Sequence, residues 1–267
     1  MITLDDKYRL ENFGLYVEEG HDYPATPNFH RKTMHIPGRP GYWDFGSEIR
    51  DKPFNIPLAT QSKDRVELQW RLNNFVTFLF DEFGKPREFK LVYDYEPSKF
   101  YMVKVSDSFS PTRVRPFSRF ILPLVADNPY KYSKVYADEV TWGSEFITFE
   151  SDYLLGHTND FAGNPIKINN SRTVNITSSG LAVQPNIIIE GTANNLTLSA
   201  NGHSFTLPNF SNEKWEIDFE KYLVSRNNEE TMIEIRDFYL MPGDNEIIVT
   251  GSNIDVELQV KFRDKYN

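Results

Sequence analysis

Between Lys63 and Phe83, the apolar residues Leu68, Leu72, Phe75, Val76, Leu79, Phe80 and Phe83 fall on one stripe with a 3.6-residue period. No other stretch of the 267-residue chain keeps such a stripe. A chain with one amphipathic helix must build the rest of its core from strands and turns. Ser62 is expected to cap the helix, with Asp64 in the first turn where the helix dipole favours an anion. Gly84 followed by Pro86 is expected to stop it. Trp70 lies off the stripe and is expected to meet a second partner.

The sequence on either side fits that restriction. Before the helix, Pro24, Pro27, Pro37, Pro40, Pro53 and Pro57 exclude another long helix and confine strands to edges or short pieces. The segment Pro24–Pro57 shows little alternating apolar pattern, so it reads as an arm reaching a neighbouring subunit. Its turn Ile36-Pro37-Gly38-Arg39-Pro40-Gly41 holds glycines suited to φ > 0. After the helix the period becomes two. Phe89–Asp94 and Phe100–Val105 read as strands split by Glu96-Pro97-Ser98, and 117–126 is apolar on both parities, as in a strand covered on both faces. Asp127-Asn128-Pro129 closes this half. The expected division is a first domain over 1–133, β-rich with one helix, and a second over 134–267, a β-sandwich. In that second half Asn201-Gly202 between two apolar runs signals a tight hairpin. Trp215, Ile217 and Phe219 alternate with acids, and Val256, Leu258, Val260 and Phe262 alternate with polar residues. The fold class is therefore mostly β in two domains.

Catalytic signatures are missing. The chain has no cysteine, which removes disulfides, thiolate metal sites and a cysteine nucleophile. His21, His30, His35, His157 and His203 form no helical ligand pair, and neither a phosphate-binding glycine loop nor a nucleophile elbow occurs. No catalytic residue, metal ligand or cofactor site is expected. The start Met1-Ile2-Thr3-Leu4-Asp5-Asp6-Lys7 has no apolar run of the signal-peptide kind, and no stretch is apolar enough for a membrane span. With 38 acidic and 29 basic residues the formal charge is −9, so stable DNA binding is not expected. Arg113, Arg115 and Arg119 are the local exception. Their spacing suggests one side of an extended strand, and they read as a subunit interface together with Pro37, Gly38 and Arg39. A different class of function, glycan binding by the second domain, would use exposed rings; Trp142, Tyr153 and Tyr222 are its candidates, whereas Trp215 lies on an apolar face.

From His35 to Tyr132 the chain resembles the N-terminal domain of the distal tail protein (Dit) family of long-tailed, non-contractile phages of Gram-positive hosts. The resemblance is carried in order by His35-Ile36-Pro37-Gly38-Arg39-Pro40-Gly41, by Asp44-Phe45-Gly46-Ser47-Glu48 leading to Arg50, and by the helix with Gly84-Lys85-Pro86. The strands around Leu91 and Tyr101 and the run Asp127-Asn128-Pro129-Tyr130-Lys131-Tyr132 complete it. The second half is similar to the family's galectin-like or carbohydrate-module-like sandwich. There the carriers are Pro185 to Thr192, Leu196-Thr197-Leu198 with Asn201-Gly202, and Leu240-Met241-Pro242-Gly243-Asp244-Asn245-Glu246-Ile247. What the resemblance implies is a non-enzymatic virion protein. It would form a homohexameric ring around a DNA channel at the tail tip, assembled in the host cytoplasm. Its partners would be the tail tube protein and tail-tip, tail-associated or receptor-binding proteins, with no membrane.

Overall fold

A computed structural model describes residues 2–62, 64–114, 117–139, 160 and 165–267. The chain forms two compact units, Met1–Lys131 with Asn267, and Tyr132–Tyr266.

In the first unit the elements run β1 (Ile2–Leu4), β2 (Tyr8–Arg9), β3 (Leu15–Val17), β4 (Phe29–His35), β5 (Tyr42–Ile49), β6 (Lys52–Gln61), α1 (Arg65–Leu79), β7 (Phe89–Tyr93), β8 (Lys99–Val105), β9 (Thr112–Val114) and β10 (Phe117–Ala126). Strands pair in the order β2-β1-β7-β8-β10-β6-β3, with β9 on β10, while β4 and β5 pair only with each other. The longest ladder here is β6 against β10, from Phe117 opposite Gln61 to Ala126 opposite Lys52. It buries Phe54, Ile56 and Leu58 with Phe120, Leu122 and Leu124.

Two expectations fail on this ladder. Lys52–Gln61 is a core strand rather than the end of an arm, although it contains Pro53 and Pro57. The amide of Glu18 donates to the Pro57 carbonyl, so the side of β6 on which Pro57 lacks an N–H faces the place where β3 has ended. Pro53 shares that parity, and no ladder bond to β10 is lost. Nor is β10 covered on both faces: Phe117, Arg119 and Ile121 are exposed while the alternate residues are buried.

Asp64, not Ser62, caps α1; its carboxylate accepts from the Val66 amide at 2.9 Å, and Ser62 Oγ accepts from the Asp64 amide at 3.1 Å. Leu68, Leu72, Phe75 and Leu79 form the buried face, and Trp70 stands exposed. The helix stops at Leu79, short of Gly84, because Phe80 turns extended and Asp81 takes over the following amides, accepting from Phe83 and Lys85. Phe83 is therefore thrown outward at 86% exposure, and Val76 is also exposed. Phe78 fills the space instead, against the rings of Tyr8, Phe13 and Phe89.

β11 (Lys131–Ser133) leads into the second unit. There follow β12 (Ile166–Ile168), β13 (Arg172–Ser178), β14 (Asn186–Ala200), β15 (His203–Thr206), β16 (Phe210–Asp218), β17 (Leu223–Arg226), β18 (Glu229–Glu230), β19 (Gly243–Lys261) and β20 (Lys265–Tyr266). The main sheet runs β12-β19-β14-β16-β17-β18, with β13 also on β19 and β15 also on β14. β14 and β19 pair along most of their lengths, with register shifts between Thr192 and Thr197 that let one ladder bend over a common core. At Gly191 the backbone has φ +139, and a Cβ there would lie 2.2 Å from the Asp255 carbonyl oxygen. Trp215, Ile217, Phe219, Val256, Leu258, Val260 and Phe262 are all buried, as their alternation anticipated. Asn201 at φ 53 and Gly202 at φ 79 make the expected hairpin turn.

Leu79→Ala is expected to destabilise the first unit by about 2–5 kcal/mol. Phe83→Ala should change it by less than about 0.5 kcal/mol, because an exposed ring leaves no cavity. Denaturant unfolding of both variants checks the contrast, and equal effects would contradict this assignment of the buried face.

Candidate interaction surface

The surface is built outward from the buried start of β6. Lys52 has 0% exposure, and its ammonium donates to the Tyr101 hydroxyl at 2.9 Å while lying 4.9 Å from the centre of that ring. The Tyr101 and Tyr23 hydroxyls share a hydrogen bond at 2.9 Å. Tyr23 belongs to the segment between β3 and β4, so this bond fastens the strap that leads out of the domain. Beside it Glu96 receives Lys131 at 2.7 Å and Lys99 at 3.1 Å. Burial pushes the Lys52 amine below the usual lysine range, the Lys131 charge pushes it further, and Glu96 only partly offsets them. Burial also works to raise the Glu96 carboxyl, yet Lys131 and Lys99 hold it below the usual carboxylate range. Desolvation likewise lifts the Tyr101 phenol, helped by its bond to Tyr23.

From this root a two-stranded arm projects. The amide of Asn28 donates to the Asp51 carbonyl and that of Arg50 to the Asn28 carbonyl, which closes the base. Every residue of β4 and β5 is exposed. At the tip the Arg39 amide donates to the Ile36 carbonyl, and Gly38 and Gly41 adopt φ +83 and +84 with nothing near their missing Cβ atoms. These two glycines supply turn geometry, not close packing. Arg31 pairs with Asp44 at 2.9 Å and Lys32 with Glu48 across the strands. The Arg31 hydrogen bond, with help from the Gly46 amide, draws the Asp44 carboxyl below its usual range. Along the same two strands stand Phe29, Met34, Tyr42, Trp43, Phe45 and Ile49, all exposed, with Tyr42 at 72%. The Arg39 guanidinium lies 4.5 Å from the Trp43 ring centre. Met34 and Trp43 project to one face of the hairpin and Phe29, Ile49 and Tyr42 to the other. A two-stranded hairpin has no second layer to bury either set, and such exposed apolar faces mark an interaction site.

The other candidates are scattered. Pro37, Gly38 and Arg39 form the arm's tip. Arg113 and Arg119 do not share a strand: Arg113 lies on β9 opposite Ser118, Arg119 on β10 opposite Thr112. Directly opposite residues project to one face, so these two arginines point to opposite faces. Arg119 pairs with Glu18 of its own chain at 2.7 Å, and Arg113 bonds Gln69 on α1. Arg115 lies outside the described residues, as do Trp142 and Tyr153. Tyr222 is 55% exposed at φ +52, but its hydroxyl donates to Asp237 and accepts from Gln184. Among the described residues no cluster of three or more metal-ligating side chains occurs. The exposed rings of the arm went unselected in the sequence, although Tyr42-Trp43-Asp44-Phe45 is an aromatic run outside any alternating pattern. Lys52 sits on the parity of Phe54, Ile56 and Leu58, a spacing that marks it as buried.

Residues 8–126, which include the arm, match the family of the phage tail protein RIFT-related domain. Over 100% of both chains the structure matches that of the SPP1 phage protein Dit, described as a paradigm of the hub adsorption apparatus in Gram-positive infecting phages, with a TM-score of 0.70 and 12% identity. It also matches the phage P2 baseplate in its activated conformation with Ca, with a TM-score of 0.47, 12% identity and 95% and 92% of the two chains covered. For that baseplate with Sr the values are 0.47, 11%, 98% and 97%. No curated protein sequence matches the chain.

The buried ammonium at the arm's root has a pH signature. Between the depressed folded pKa of Lys52 and the ordinary lysine value near 10.5, the unfolded chain holds the extra proton, so stability rises with pH. Lys52→Met removes the amine at similar length and should flatten the slope within that interval in denaturant titrations, the tyrosine contribution being common to both proteins and cancelling in the comparison. Identical slopes in the two proteins would contradict the lowered pKa of Lys52.

Proposed function

We propose that this chain, a phage tail protein by its N-terminal domain and of distal-tail-protein fold, is the ring-forming hub at the distal end of a tail. Six copies surround a channel for DNA and join the tail tube to baseplate, fibre or tail-tip proteins. The role is structural, without catalysis, and the protein is assembled in the host cytoplasm before becoming part of the virion. The observation that carries this reading is the arm: a hairpin whose large apolar side chains are bare in a single chain and need another chain to cover them. An arm on one side and its receptor on another make a heterologous contact, the kind that closes rings. A formal charge of −9 per copy suits a wall past which DNA slides, since like charge leaves no counterion release to favour sticking.

Light scattering after size exclusion, with negative-stain images, is expected to show a six-membered ring whose population grows with concentration. Replacing residues 28–51 by a short Gly-Ser turn should leave a monomer whose first unit still unfolds cooperatively. Loss of folding in that deletion would make the arm part of the core instead. A gel-shift assay at low salt should give no DNA complex; a salt-sensitive shift removed by Arg113→Ala would overturn the charge argument.

A further inference from the structure

We propose that the arm of one copy seats its Met34–Trp43–Phe45 face in the groove between α1 and the 107–113 segment of a second copy. The inference rests on the ring reading above and specifies its contact. The groove is about 330 Å³, with Leu72, Val76, Phe80, Phe109 and Pro111 among its lining residues. Its floor is firm, because Phe109 stacks on Phe120 at 5.1 Å. Beside it the outer face of α1 leaves Val66 and Trp70 bare, at 74% and 65% exposure. Met34 lies directly opposite Trp43 in the arm's ladder, so these two project to one side, and Phe45 stands next to them at the register shift in β5. A ridge of one thioether and two rings suits a groove that takes side chains rather than a whole strand.

The occupant is a second copy for two reasons. Each chain carries one bare arm and one bare groove, and the arm does not lie in the groove of its own chain, since all of β4 and β5 is exposed. Self-association covers both surfaces at once and in matched number, and a head-to-tail contact does so while closing a ring; a reciprocal two-fold pair would stop the doubly substituted chain's ladder at a dimer. Charge favours the same choice. Residues 28–51 hold four Arg or Lys against three Asp or Glu, a net positive segment in a chain of net charge −9. The acceptor side offers Asp107 beside Arg113 at the groove and Asp81 and Glu82 beyond the end of α1, carboxylates complementary to the tip's Arg39.

The chain has no cysteine, so introduced thiols report only the contact under test. Met34→Cys and Val76→Cys proteins, prepared separately and treated with a short bis-maleimide, should each stay uncoupled and should form covalent dimers when mixed. A chain with both substitutions should give a ladder ending at the ring size. Trp43→Ala should weaken assembly at least about tenfold, as loss of a central aromatic anchor does, without moving the first unit's unfolding. Ring assembly with no Met34–Val76 coupling, or coupling of Met34→Cys to Ile121→Cys on the outer face of β10 instead, would refute the groove and leave the ring standing. Coupling of Met34→Cys to itself would replace the head-to-tail contact by a two-fold one. A wild-type chain that stays monomeric at every concentration would sink the ring and the contact together.

Discussion

The ladder between β6 and β10 organises the first unit, because its alternation assigns four jobs at once. One parity of β6 places Phe54, Ile56 and Leu58 in the core that α1 and the neighbouring strands close. The same parity puts Lys52 inside at the strand's first residue, immediately after the arm returns. The opposite parity of β10 leaves Phe117 and Ile121 outside. The direction of the missing N–H groups of Pro53 and Pro57 sets which side of β6 can pair further. A one-residue slip of this register would invert every one of these assignments.

A buried lysine without a carboxylate in contact is costly, and its position says what the cost supports. Lys52 holds the Tyr101 hydroxyl, Tyr101 holds Tyr23, and Tyr23 lies on the strap leading to the arm. Both ends of the hairpin are thereby fixed within a few residues of the core, while the hairpin itself makes no further sheet. The arm is rigid at its root and bare along its length. That combination suits a contact element that must meet a neighbour in one orientation, since a pre-set root lowers the entropy lost on docking.

The second unit solves its problem with one side chain at a bend. Asn245 is buried, and its oxygen accepts from the Asn201 side chain and the Met241 amide, while its nitrogen donates to the Met241 and Gly243 carbonyls. The amide thus ties the β14–β15 turn to the start of β19. A buried amide with its bonding capacity used costs little and fixes one geometry. This accounts physically for the run Met241-Pro242-Gly243-Asp244-Asn245, which composition alone does not explain.

Period and punctuation were legible in the residues: one helical stripe, two-residue alternation after it, and an Asn-Gly hairpin. The segment Pro24–Pro57 also stood apart, because it lacks alternation, although its last residues belong to the core strand Lys52–Gln61. Local pattern reports which residues share a face, and these features follow from backbone geometry within a few residues. Whether that face finds a cover is a non-local matter. Phe83 belongs to the stripe by spacing, yet Asp81 captures the next amides and ends the helix early, so Phe78 takes the space instead; Val76, inside the helix, stays exposed at the edge of the buried face. Phe117 and Ile121 are apolar like their neighbours, but no layer packs on their side. Arg113 and Arg119 are near in sequence, yet the chain passes from β9 to β10 between them and the pairing register points them apart. The sequence determined the periods, and with them the type of most elements. The tertiary structure decided which apolar faces are covered and which are left for another chain, because burial depends on elements far apart in sequence meeting in one register.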